Sequence, residues 1–295
     1  MANLKQIKAK IKSVGNLKKI TRALEVVSTV KLQKIKNQAE GLKSYLMQIL
    51  RIFWTISPKI DLFGQERENI NATRTAVMVV TSERGLCGWL NTKLLRKVLQ
   101  ENDLATTDFF VVGKKGLEFL KRVNATIVGH LQVGDAVSSQ ELLAVYTFFE
   151  QAIQKWHYNK VSLYFNFFRN SIIQIPTSIQ VFPLSLTEIK MFFDGIELPL
   201  AVPWTEHNAT DLLIEPSLEE VRQEVRRQIR NYVILSALVQ NKTGEHAARM
   251  IAMKNAKDNA TGFVKSLTLK FNKERQAAIT KEISEIVSAK IAIEG

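Results

Sequence analysis

Proline placement most constrains what this chain can fold into: all six prolines, Pro58, Pro176, Pro183, Pro199, Pro203 and Pro216, fall in the middle of its 295 residues. Proline fixes φ, lacks a backbone N–H and breaks helix interiors. Both ends are free of it and can be continuous helix. In the first segment Leu4, Ile7, Ile11, Val14 and Leu17, then Ile35, Ala39, Leu42, Leu46, Ile49 and Phe53, follow one another in steps of three and four. That spacing predicts a narrow coiled-coil seam.

The last segment has a plain start, with Pro216 at the boundary, Ser217 as cap and Glu220 placed to close a capping box. Leu218, Val221, Val225, Ile229 and Val233 begin an apolar stripe. Ala260, Val264, Leu267, Phe271, Ile279, Ile283 and Ile286 carry it towards Lys290. At 1.5 Å per residue the two helices span roughly 80 and 110 Å, and helices of that length need a partner. An antiparallel pair made from the two ends of the chain is the expectation.

Between the helices the pattern changes to short apolar runs. Strands are expected at Ala76–Thr81, Phe109–Val112, Thr126–Val128, Val161–Phe167 and Ile173–Val181. Helices are expected at Leu90–Gln100, Lys115–Val123 and Ser139–Trp156. The βαβ succession predicts a mostly parallel, Rossmann-like α/β domain. The division is then 1–58 for the N-terminal coiled-coil helix, 74–208 for the α/β foot and 216–290 for the C-terminal coiled-coil helix.

Composition bears on function. With 46% apolar residues the chain can build a core, and its formal charge of +13 suits an acidic partner: nucleic acid, anionic lipid or protein. No run of about 18 apolar residues occurs, so membrane association is expected to be peripheral. Cys87 is the single cysteine, and His130, His157, His207 and His246 lack metal-ligand spacing. The basic first segment continues for some fifty residues instead of ending like a transit peptide, which points to a bacterial source.

Three blocks carry a family resemblance. Ile7-Lys8-Ala9-Lys10-Ile11-Lys12-Ser13-Val14 with Lys19-Ile20-Thr21-Arg22-Ala23-Leu24 resembles an IxxRIxSV…KIT[KR]AM opening. Ser82-Glu83-Arg84-Gly85-Leu86-Cys87-Gly88-Trp89-Leu90-Asn91 resembles an SDRGLCGxxN turn. Glu245-His246-Ala247-Ala248-Arg249-Met250 through Asp258-Asn259-Ala260, and Asn272-Lys273 through Ser288, form the third and most specific block. Together they are similar to the gamma subunits of F-type ATP synthases.

The resemblance implies a rotor that couples proton transport to ATP synthesis or hydrolysis and performs no catalysis itself. The terminal helices would lie inside the ring of alpha and beta subunits, and the foot would meet the epsilon subunit and the membrane c-ring. It implies no cofactor, and a peripheral place on the cytoplasmic face of the bacterial inner membrane. Ring contacts carry over to Lys19, Thr21, Arg22, Leu24, Arg275, Gln276, Thr280, Ile283, Ile286 and Val287. The foot turn is Arg84, Gly85, Leu86, Cys87 and Gly88. Leu24, Trp89, Gly244 and Lys257 depart from the family's usual residues. No cysteine-bearing insertion for thiol regulation is visible.

Plainer readings stand beside these. The Ser82–Gly88 turn reads as a tight βα turn rather than a phosphate cradle, since no GxGxxG or GxxxxGK[ST] accompanies it. Gly113-Lys114-Lys115-Gly116 is too short a glycine loop to claim a nucleotide. Glu245-His246 lacks a second histidine at i+4, so packing or a surface position replaces catalysis. Gly244 and Gly262 each cost a helix about 1 kcal/mol relative to alanine, which predicts close packing or flexibility there. The helix lysines also allow a basic coiled coil that binds nucleic acid, although no aromatic residues are interleaved among them.

Overall fold

The computed structural model describes residues 2–56, 73–134, 139–154, 158–185, 187–189, 192 and 215–294. Its elements are α1 (Ala2–Ile56), β1 (Thr75–Val80), α2 (Leu90–Glu101), β2 (Thr107–Val112), α3 (Lys114–Arg122), β3 (Thr126–Leu131), α4 (Ser139–Gln154), β4 (Lys160–Phe168), β5 (Gln174–Phe182) and α5 (Leu218–Glu294). Each expected strand and helix is present, with ends moved by a few residues; Trp156, expected to close α4, lies outside the described residues. The chain divides into two compact units: Met1–Thr29 with Arg249–Gly295, and Val30–Ala248.

In the larger unit the sheet order is β3-β2-β1-β4-β5, with β1, β2, β3 and β4 parallel and β5 antiparallel to β4. β1 and β2 are buried on both faces, which is why they read as unbroken apolar runs. Val77, Val79, Phe109 and Val111 pack with Leu94 and Leu95 of α2 and Leu120 of α3. Met78, Val80, Phe110 and Val112 face the opposite layer, where Phe148 and Phe149 of α4 meet Ile229, Val233 and Leu238 of α5. Alternation along each strand therefore serves two cores, and α5 is part of one of them.

α5 begins as its sequence demands. The Glu220 N–H donates to Ser217 Oγ at 3.2 Å, while the Ser217 hydroxyl donates to the Glu220 carboxylate at 3.2 Å. From there 77 residues run without a break, roughly 115 Å.

The smaller unit is a two-helix coil. Lys257 Nζ donates to both carboxylate oxygens of Glu25, at 3.2 and 2.9 Å. Shielded side chains run along α5 as far as Ala278, 21 residues beyond Lys257, and along α1 back to Leu4, the first described side chain, 21 residues before Glu25. The two stripes extend from this pair with opposite chain sense, as antiparallel helices do. Along one face of α1 the shielded positions Leu4, Ile7, Ile11, Val14, Lys18, Thr21, Glu25 and Ser28 keep a regular alternation of three and four, with Gly15 and Leu24 half-buried beside them. Leu17, expected in that seam, is instead 52% exposed. The seam turns polar at Lys18, while Leu17, Ile20, Val26 and Val27 face outward.

Ile279, Ile283 and Ile286 also depart from the expected seam. Every described side chain from 279 to 293 is exposed.

Candidate functional site

The β1–α2 turn is tied by side-chain hydrogen bonds and presents two apolar side chains. Leu86 and Gly88 take positive φ values of 66° and 60°, a conformation that glycine adopts freely and leucine only where its surroundings hold it. Those surroundings are polar. The Ser82 N–H donates to Asn91 Oδ1 at 3.1 Å, Asn91 Nδ2 donates to Ser82 Oγ at 2.6 Å, and Ser82 Oγ donates to the Arg84 carbonyl at 2.8 Å. Cys87 is buried, with Asn91 Nδ2 3.4 Å from its sulfur. Arg84 is exposed, Gly85 half-buried, and Leu86 and Trp89 are 62% and 73% exposed. The cysteine that the sequence singled out is thus a packing residue, and its neighbours form the surface.

The carboxyl edge of the parallel strands is where open α/β sheets hold ligands, and here protein groups fill it. Glu83 accepts from the Lys114 N–H at 3.2 Å and from the Val133 N–H at 3.0 Å. Its carboxylate takes the start of α3, the place a phosphate would use. Thr81 Oγ1 accepts from the Gly116 N–H at 2.8 Å and donates to the Val112 carbonyl at 3.0 Å. A β-carbon on Gly113, whose φ is +95°, would stand 2.3 Å from the Thr81 carbonyl oxygen, so only glycine lets the two turns close.

α5 fills the rest of this edge. Asn241 Oδ1 accepts from the Asn166 N–H at 3.1 Å and from Asn166 Nδ2 at 3.0 Å, and Gln240 Oε1 accepts from the Phe168 N–H at 3.1 Å. Lys242 Nζ donates to the Val133 carbonyl at 3.1 Å and lies 3.4 Å from Glu245. Glu245 and His246 are 3% and 1% exposed, which decides for packing over a surface role. Gly244 is closely packed, as anticipated, with Gln174 Cγ 3.2 Å from where its β-carbon would sit; Gly262 meets nothing within 4 Å.

Sequence reasoning missed Glu83, Gln240, Asn241 and Lys242. For the last three the signal was a polar run directly after the mostly apolar 232–239 stretch of the helix; Glu83, in a turn, gave none.

On the coil, Lys19 and Arg22 are exposed, Leu24 is half-buried and Thr21 is buried, its hydroxyl donating to the Leu17 and Lys18 carbonyls at 3.1 and 3.0 Å. Arg275, Gln276, Thr280, Ile283, Ile286 and Val287 are all exposed, with Thr280 Oγ1 donating to the Gln276 carbonyl at 3.0 Å. Among the described residues no cluster of three or more His, Cys, Asp or Glu could hold a metal, and no helix is long and apolar enough to cross a membrane.

Comparison with known proteins places this arrangement. The family model described as ATP synthase matches residues 3–293. The ATP synthase gamma chain of Nitrosomonas eutropha is 34% identical over 99% of this chain and 100% of its own length. That of Stenotrophomonas maltophilia is also 34% identical, with the same coverage. Among solved structures, a chain of the Euglena gracilis mitochondrial ATP synthase described as OSCP/F1/c-ring superposes with a TM-score of 0.68 at 19% identity, covering 99% of this chain and 95% of that one. A rotor chain of the same enzyme gives 0.63 at 16% identity, covering 94% and 99%. Matched from end to end by relatives of that one kind and sharing their fold, the chain belongs to the ATP synthase gamma-chain family.

Proposed function

We propose that this chain is the central-stalk rotor of an F-type ATP synthase. It carries torque between an ion-driven c-ring and a ring of alpha and beta subunits, with epsilon on the foot. As working parts, 1–58 and 216–290 are the shaft helices and 74–208 is the foot. The chain performs no catalysis: the edge of the sheet where a nucleotide would bind holds Glu83, Asn241 and Lys242 instead. Its place is peripheral, on the cytoplasmic face of a bacterial inner membrane.

One observation carries the reading. The 15 positions of α5 from 279 to 293 leave every described side chain in solvent, and six of them are isoleucine or valine. An apolar helix end left uncovered by the described residues is built for a surrounding partner. The ring contacts proposed are Lys19, Thr21, Arg22 and Leu24 on α1, and Arg275, Gln276, Thr280, Ile283, Ile286 and Val287 on α5. Of these, Thr21 acts through the seam it packs in, since its side chain is covered. A nucleic-acid role would rest on net charge alone.

Reconstitution with alpha and beta subunits tests the proposal. The expected result is a stable complex whose ATP hydrolysis turns the chain. Tight, salt-sensitive DNA binding without such assembly would overturn it.

A further inference from the structure

We propose that Gln240, Asn241 and Lys242 form a torsional key, the point at which the sheet prevents α5 from turning about its own axis. The inference rests on the rotor reading and adds where the foot grips the shaft. Below these residues the grip of the sheet layer on α5 is apolar, through Val225, Ile229, Val233 and Leu238. The polar contacts that reach α5 from α4, Tyr146 Oη donating to the Asn231 carbonyl at 3.0 Å and Glu150 lying 3.8 Å from Arg230, do not come from a strand. Apolar contacts are non-directional and resist axial rotation only through shape. Hydrogen bonds are directional and weaken steeply when bent. A side-chain atom about 5 Å from a helix axis moves about 2.6 Å in a 30° turn, enough to break a bond of ordinary length.

Three consecutive residues supply the grip. Successive side chains leave a helix about 100° apart, so the three point in different directions. Gln240 and Asn241 hold the carboxyl end of β4, through the Phe168 N–H and through both the N–H and Nδ2 of Asn166. Lys242 holds the Val133 carbonyl, beyond the end of β3. One anchor just past β3 and another on β4, with β2 and β1 between those strands, oppose rotation in either sense. Asn166, Asn241 and Lys242 are 1%, 0% and 5% exposed, so water cannot substitute for a broken bond. One turn on, Gly244 has no side chain, which lets the β4–β5 hairpin approach at Gln174.

A single-molecule measurement on the assembled alpha–beta–gamma complex tests this. A bead is attached to the foot through Lys93→Cys, an exposed position on α2, and the angular spread of the bead during ATP-waiting dwells gives the torsional stiffness of the joint. Asn241→Leu with Lys242→Met should leave ATP hydrolysis within twofold of the parent and lower that stiffness at least twofold. If the double variant does not fold, Gln240→Met, at a half-buried site, removes only the acceptor of the Phe168 N–H, and a smaller loss in the same direction is expected. A merely structural role would lower the unfolding midpoint yet leave the angular spread of folded rotors unchanged, and that result overturns the key. A parent chain that assembles and rotates while the variants keep full stiffness also overturns the key and leaves the rotor reading intact. Failure of the parent to rotate overturns the rotor reading itself.

Discussion

Asp108, near the start of β2, shows how one side chain can tie down the amino edge of the sheet. Arg74 Nε donates to Oδ2 at 3.1 Å, Arg74 Nη2 pairs with Oδ1, and Tyr158 Oη donates to Oδ2 at 2.8 Å. Burial would raise the pKa of this carboxyl, but hydrogen bonds from Arg74 and Tyr158 outweigh it and hold the pKa below the ordinary 3.8. Burial, and then the bond to Asp108, push the Tyr158 phenol above its ordinary 10.0. The two shifts act at opposite ends of the pH scale. A lowered carboxyl pKa stabilises the fold above pH 3.8, and that contribution is lost as pH falls through the folded-state value. A raised phenol pKa stabilises below pH 10.0, and its contribution is lost as pH rises. Asp108→Asn should cost about 1–2 kcal/mol at pH 7 and flatten the decline of the denaturation midpoint below pH 3.8. Urea titrations across pH would check both, and an unaltered acid limb would refute the assignment.

Among the elements, the α1–α5 coil raises the question of how it keeps its register. The shielded positions of α5 on either side of Lys257 include the small residues Ala256 and Ala260, so apolar packing close to that pair discriminates little between alignments. Glu25–Lys257 does discriminate: a slip of one heptad would set Glu25 against Val264 or Met250 and leave a half-shielded charge unpaired. Lys257→Met should therefore broaden the distance between spin labels at the exposed, opposed positions Lys12 and Lys270, and Glu25→Lys with Lys257→Glu should narrow it again. The pair is part-exposed, so its discrimination is modest; a distance distribution unmoved by Lys257→Met would show that the register is held elsewhere. This polar pairing was not legible in the sequence. A search for apolar periodicity accepts Leu17 and passes over Lys18, although counting three and four onward from Val14 lands on Lys18, Thr21, Glu25 and Ser28. The strands were legible because β1 and β2, covered on both faces, have to be continuous apolar runs. Glu83 and Asn241 were not, since a polar residue's burial depends on a partner distant in sequence: residue 133 for one and residue 166 for the other.

For the molecule as a machine part, two kinds of contact divide the work along α5. Near residue 241 the helix is held by buried, directional hydrogen bonds; beyond residue 278 it offers only exposed side chains, among them Ile283, Ile286, Val287, Ile291 and Ile293. A rotating end needs contacts whose energy changes little with angle, and dispersion against aliphatic groups meets that need where hydrogen bonds would impose a well at each step. The partner surface around this end is then expected to be apolar as well, and a charge placed there should fail only in the assembled state. Ile286 and Val287 are 69% and 51% exposed in the chain alone, so aspartate at both should change its unfolding free energy by less than about 0.5 kcal/mol. Inside an apolar sleeve the same two carboxylates would each lose hydration at a cost of several kcal/mol. Coupled ATP synthesis in membranes carrying the Ile286→Asp, Val287→Asp rotor should fall at least tenfold while the isolated chain melts as before. Undiminished synthesis would mean that this end turns in water and that torque is transmitted through the polar positions nearer Arg275 and Gln276.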